Sequence, residues 1–211
     1  MILHNYFRSS TSARVRAALN LKGLEYEYVA HALLKDEHRG AQHLAVNPQG
    51  LVPTLVTDQG PLPQSLAIIE WLDEVYPDPP LLPADPWGRA RVRSLAHIIA
   101  LDVHPVNNLR ILRLLETEFG ADADAKSRWF QRWAHEGMVA LEARLDEPET
   151  GTFCHGDTPS LADLCLFAQV LNNGRFGVTL ENYPRIAGVH AACMDLDAFA
   201  KAAPAMQPDA V

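Results

Sequence analysis

Phe7-Arg8-Ser9-Ser10-Thr11-Ser12-Ala13-Arg14-Val15-Arg16 is the stretch on which the reading of this chain turns. Ile2 to Phe7 before it reads as a strand. Ser12 to Lys22 reads as a helix with Val15, Ala18 and Leu19 on one face and Gly23 as its stop. Hydroxyl side chains therefore stand where a strand hands over to a helix. The first-turn N–H groups of a helix lack intrahelical partners, and the positive end of its dipole points the same way. An anion placed there is stabilised, with Arg8 or Arg14 beside it. The same hydroxyls also fit a plain N-cap, for which one would be enough.

Working outward, Leu24 to Val29 alternates with period two, as a half-buried strand does. Leu51 to Thr57 and Leu62 to Gln64, joined by Asp58-Gln59-Gly60-Pro61, read as a hairpin. Ser65 reads as the N-cap of a helix that runs to Tyr76 and stops at Pro77. The order strand–helix–strand, a helix-bearing connection, then strand–strand–helix makes a mixed sheet with helices on its faces. Beyond the proline-rich Asp78 to Pro86 the patterns are only helical: Trp87 to Phe119 with a kink at Pro105, Asp124 to Leu145, Pro159 to Asn173, and Tyr183 to Met194. The expectation is an α/β domain over residues 1–82, a linker at 83–88 and an all-helical domain over 89–211.

Composition narrows the function. Of 211 residues, 48% are hydrophobic and 21% charged, the balance of a globular protein. No apolar run approaches the ~20 residues of a membrane span, and the start lacks the pattern of a signal peptide. A net charge of −8 without a basic run argues against nucleic acid. The three cysteines, Cys154, Cys165 and Cys193, have neither CxxC nor metal spacing, which fits a reducing cytoplasm.

Two further junctions resemble the first. Val52-Pro53-Thr54 sets a proline at the mouth of a strand, where an edge, a bulge or a cis bond accommodates it. Gln64-Ser65 offers N–H and hydroxyl donors at a strand-to-helix junction, or simply a cap. These features in this order resemble the glutathione transferase fold, a thioredoxin-like domain with a mixed four-stranded sheet followed by a helical domain. The zeta class is the nearer match. Its Ser-Ser-Cys-Ser-x-Arg-Val-Arg motif corresponds to Ser9-Ser10-Thr11-Ser12-Ala13-Arg14-Val15-Arg16. Asn47-Pro48-Gln49-Gly50, Val52-Pro53-Thr54-Leu55, Gln64 to Glu70, Leu81-Leu82-Pro83, Asn108-Leu109, Ala162 to Leu166 and Arg175-Phe176 extend the resemblance along essentially the whole chain.

The resemblance implies a glutathione-dependent cis–trans isomerase of maleylpyruvate or maleylacetoacetate in aromatic-compound degradation, acting as a cytoplasmic homodimer. It implies that Ser9, Ser10 and Thr11 surround the glutathione sulfur and that Gln64 and Ser65 hold the γ-glutamyl end. Val52, before a cis Pro53, would pair with the cysteinyl backbone, with His38, His104, Asn108, Leu109 and Arg110 as further contacts. The family's motif cysteine is Thr11 here, so no protein thiol can act at that position. Cys154 and Cys165 read as small apolar groups in the core. Ser160-Leu161-Ala162-Asp163 reads as a capping box, and Trp71, Trp87, Trp129 and Trp133 as core or domain-interface residues. His31, His38 and His43 lack metal-ligand spacing with nearby carboxylates, so no metal is expected.

Magnitudes indicate where catalytic power must come from. A free thiol of pKa ~8.5 is about 3% thiolate at pH 7. Lowering that pKa by ~2 units gains about 25-fold in thiolate, of which weakened nucleophilicity takes back about 8-fold. Positioning must therefore dominate, which directs attention to Arg8, Arg110 and Arg175 as bidentate grips for a small dicarboxylic oxo acid. A serine often stands at the position of Arg110 in the family. Surface ion pairing is the alternative use of these arginines. A conjugating or dehalogenating transferase and a non-catalytic glutathione-binding protein are the competing functions, and neither requires the arginine set.

Overall fold

In the computed structural model, which describes residues 1–210, the first alternating segment forms β1 (Ile2–Asn5). The helix α1 (Ser10–Leu21) follows, then β2 (Glu27–Ala30), α2 (Ala41–Val46), β3 (Thr54–Thr57), β4 (Gly60–Pro63) and α3 (Ser65–Val75). The strand order is β2-β1-β3-β4, with β1 parallel to β2 and the other pairs antiparallel. Leu3 and Leu55 face each other across β1 and β3, both fully buried. Helices α1 and α3 pack together through a core that includes Val15, Leu19, Ile68, Ile69 and Leu72.

The chain divides into two units, Met1–Leu81 with the C-terminal segment from Met194, and Leu82–Cys193. The expected helical domain of residues 89–211 thus loses its last segment to the first unit. The reason is a set of polar anchors on α1. The buried Arg16 donates from Nε and Nη2 to the carbonyl of Ala202, at 3.1 and 2.9 Å. Asn20 Nδ2 donates to the carbonyl of Ala198, and α10 (Asp197–Ala200) packs on α1.

The second unit holds α4 (Pro86–His97), a wider π-type segment Ile98–Val103, α5 (His104–Asn107), α6 (Leu109–Phe119), α7 (Ala123–Arg144), α8 (Leu161–Gly174) and α9 (Pro184–Met194). Asp85 caps α4 through Gly88 N at 2.8 Å, so residues expected in the linker form its first turn. The helical run breaks at Asn108 and not at Pro105. Pro105 keeps helical backbone around it and directly follows the π-type segment, where the regular i−4 hydrogen-bond ladder is already interrupted. Asn108 has extended backbone and caps α6 by accepting from Ile111 N. Trp71, Trp129 and Trp133 are half-buried and Trp87 is 75% exposed, so the tryptophans do not form the core. That place belongs to Phe130, Ala134, Met138 and Leu141 of α7, with Leu164 and Phe167 of α8. Among the described residues no helix is long and apolar enough to cross a membrane.

The expected capping box is present. Asp163, wholly buried, accepts from Ser160 N and Oγ at 2.8 and 2.7 Å and from Cys154 N at 2.8 Å. Asp163→Ala would strand these donors and remove the cap. It is expected to lower unfolding free energy by about 2–4 kcal/mol, which urea unfolding measures.

Candidate functional site

The turn between β1 and α1 is fixed from beneath. Arg16 Nη1 donates to Asn5 Oδ1 at 3.0 Å and the carbonyl of Tyr6 at 3.3 Å, while Nη2 donates to the carbonyl of Phe7 at 3.1 Å. Phe7 N donates to Asp209 Oδ2 at 3.1 Å, and the Tyr28 hydroxyl donates to Asp209 Oδ1. Burial, reinforced by the bond to Asp209, pushes the Tyr28 phenol well up, so it remains a donor. The backbone on the strand side of Arg8-Ser9-Ser10-Thr11 is thereby held in place.

Above this base the hydroxyl protons can be counted. Ser9 is the N-cap of α1, and its Oγ accepts from Ser12 N at 3.1 Å. Thr11 Oγ1 donates to the carbonyl of Val52 at 3.1 Å and lies 2.9 Å from Ser9 Oγ. A carbonyl only accepts and a threonine has one hydroxyl proton, so Ser9 donates to Thr11. The capping and the ligand readings of these residues are therefore compatible: Ser9 caps with its lone pair and keeps a proton that can be redirected. The N–H groups of Ser10 and Thr11 lie in the first turn, where α1 provides no carbonyl for them.

Val52 is set by its own loop. Asn47, 1% exposed, donates from Nδ2 to the carbonyl of Leu51 at 2.9 Å and to Thr54 Oγ1 at 3.1 Å, and its Oδ1 accepts from Gln49 N. Gly50 has φ +56°, and a Cβ there would stand 3.1 Å from the His38 carbonyl oxygen, which explains the glycine of Asn47-Pro48-Gln49-Gly50. The Val52–Pro53 bond is cis. Gln64 occupies the N-cap position of α3 with φ 74°, and its Nε2 donates to Gln49 Oε1 at 2.8 Å. Ser65, expected to be the cap, is the first helical residue, and no side chain caps α3. The Gln64 backbone, turned into a conformation disfavoured for side chains, takes the cap position instead.

Hydrogen bonds join Ser9, Thr11 and Val52, while Gln49 links the Val52 loop to Gln64, the residue before Ser65. Ser10 and His38 are buried in the same unit. Arg8 is exposed, its guanidinium 5.1 Å from the Phe7 ring centre. Arg14, the alternative to Arg8 beside an anion, is 1% exposed and turns into the interior, where its Nε and Nη2 lack partners. Within the second unit His104 opens α5, and Asn108 uses its side chain to cap α6. Leu109 is half-buried and Arg110 exposed. Arg175 ends α8, exposed, 3.4 Å from Asn172 Oδ1 and 5.9 Å from the Phe176 ring centre.

All three cysteines are fully buried in the second unit. Burial pushes the Cys154 and Cys193 thiols up, so neither yields a thiolate at neutral pH. The first unit has hydroxyl and backbone donors but no nucleophilic sulfur of its own.

Residues 3–80 match the family described as glutathione S-transferase, N-terminal domain. The chain is 54% identical over 210 residues to maleylpyruvate isomerase of Ralstonia sp, covering 99% of both sequences. It superposes with TM-score 0.98, at 53% identity and 100% coverage of each chain, on the holo structure of a maleylpyruvate isomerase described as a bacterial zeta-class glutathione transferase. A maleylacetoacetate isomerase from Anaeromyxobacter dehalogenans 2CP-1, solved with dicarboxyethyl glutathione and citrate in its active site, matches at TM-score 0.88 and 43% identity, over 100% of this chain and 93% of that one.

The two serines at helix starts should part company in stability. Ser9→Ala removes a cap and should cost about 1 kcal/mol. Ser65→Ala removes none and should cost less than Ser9→Ala. Parallel urea titrations compare them.

Proposed function

Because the chain belongs to the zeta-class glutathione transferase family, we propose that it is a glutathione-dependent cis–trans isomerase acting on maleylpyruvate or maleylacetoacetate in aromatic-compound degradation. The observation that carries this reading is a donor-rich turn without a protein thiol, in a chain akin over its full length to isomerases of these acids. Glutathione, when bound, supplies a thiolate that adds reversibly to the conjugated double bond and so permits rotation about it.

The donor set fits that group. The first turn of α1 favours negative charge through its N–H groups and dipole, and Ser9 and Ser10 are assigned to the sulfur. Thr11, whose proton is given to Val52, ties α1 to the loop and positions Ser9. Val52 is assigned to the peptide backbone of glutathione, and Gln64 and Ser65 to its γ-glutamyl carboxylate. His38, His104, Asn108, Leu109 and Arg110 are assigned as further contacts. Arg8, Arg110 and Arg175 are assigned to the carboxylates of the oxo acid, where a guanidinium keeps its charge and grips bidentately. An arginine at 110 favours the shorter maleylpyruvate. The same reading makes the protein a cytoplasmic homodimer, and sedimentation showing a monomer at micromolar concentration would oppose the dimer.

Glutathione balance tests the reaction class. An isomerase turns over many substrate molecules per glutathione, whereas a conjugating transferase consumes one each time and a binding protein shows no turnover.

Two variants test the residue assignments. Ser65→Ala should weaken glutathione binding by about 10–150-fold, the equivalent of about 1.5–3 kcal/mol for a charge-assisted bond; unchanged affinity by calorimetry defeats that role. Arg8→Ala and Arg175→Ala should each lower kcat/KM for the dicarboxylate by about tenfold or more while leaving glutathione affinity nearly intact. If they lose only glutathione binding, the substrate assignment is wrong.

A further inference from the structure

We infer that His4, His31 and His43 form a binding site for one divalent first-row transition-metal ion, of which zinc is the best match. The fold gathers these residues from three separate elements. His4 lies on β1, His31 directly follows β2 and is placed by its N–H bond to the Asn5 carbonyl at 2.8 Å, and His43 lies on α2. One ring nitrogen from each lies within 4.8 Å of the others. His4 Nδ1 and His31 Nε2 are 2.9 Å apart, and the His31 and His43 ring centres are 4.3 Å apart.

Tautomers show what the cluster offers. His43 is 1% exposed, and its Nε2 lies 3.0 Å from the carbonyl of Leu51. That carbonyl only accepts, so Nε2 carries the proton and Nδ1 carries a lone pair. Nδ1 is buried and has no hydrogen-bond partner. An imidazole whose second nitrogen donates to a backbone carbonyl while the first presents a buried lone pair is the usual arrangement of a metal-binding histidine. His4 and His31 share one proton between Nδ1 and Nε2. Moving it to the other nitrogen of the same ring leaves two more lone pairs without changing the charge.

Zinc–nitrogen bonds of about 2.0–2.1 Å in a tetrahedron require nitrogens about 3.4 Å apart. The observed separations, 2.9 Å and up to 4.8 Å, bracket that value. Three imidazole ligands leave a fourth tetrahedral position for water, and His4 is the most exposed of the three. The Leu51 carbonyl that orients His43 precedes Val52, so the ion would clamp β1 and α2 beside the loop that holds Thr11.

The test uses chelator-treated, full-length protein titrated with cobalt(II), then with zinc as competitor. The expected result is one ion per chain, the strong visible bands of four-coordinate cobalt, and their loss on zinc addition. His4→Asn and His43→Gln, each checked for cooperative unfolding, should weaken binding by about 100-fold or more, while His97→Asn should leave it unchanged. Absence of stoichiometric uptake, or full uptake by both folded variants, overturns the site. If a variant does not fold, zinc-edge anomalous scattering from wild-type crystals decides: a peak among the three rings supports the site, and a peak elsewhere overturns it.

Discussion

The guanidinium of Arg16, with no surface open to solvent, is the constraint on which the first unit depends. Removing a charge from water costs least when its hydrogen bonds are made and an opposite charge is near. The chain meets both needs with its own backbone and with Asp209. Because the acceptors are the carbonyls of Tyr6 and Phe7, satisfying the charge also fixes where β1 ends and how the chain enters α1. Because another acceptor is the carbonyl of Ala202, the C-terminal segment is bound to the same point.

That constraint explains how a site can be built without a reactive side chain of its own. The Ser9–Thr11–Val52 chain of hydrogen bonds stands on the Arg16 base. It leaves donors from a helix start facing one direction, which stabilises an anion without reorganisation when charge arrives. A cysteine in place of Thr11 would add a thiol but would forfeit the strong donor to Val52. Threonine at this position leaves the α1 turn without a thiol of its own, and it gives the loop carrying cis-Pro53 a direct tie to α1.

The α/β half was legible in the sequence because its signals are local: period-two runs, a Gly-containing hairpin turn, and Pro77 as a stop. The capping box at Ser160 and Asp163 was legible for the same reason. What was missed depends on tertiary choices. The break at Asn108 is hidden because Pro105 carries the louder signal, yet the run widens into the π-type segment before Pro105 and stays helical to Asn107. The return of residues after Met194 to the first unit rests on single hydrogen bonds to Arg16 and Asn20, which have no periodicity. Arg14 and Arg16 look alike in sequence, and only the fold shows that both point inward. His4 was passed over because its partners lie 27 and 39 residues away, on elements that parallel strand pairing and α2 bring together.

On the proposed function, the α1 turn stabilises a thiolate that it does not itself supply. The most direct measurement is the pKa of the glutathione thiol in the complex, followed by thiolate ultraviolet absorbance as pH is varied under saturating protein. A value about 2 units below the ~8.5 of a free thiol is expected. A bound thiol that titrates at or above ~8.5 contradicts it.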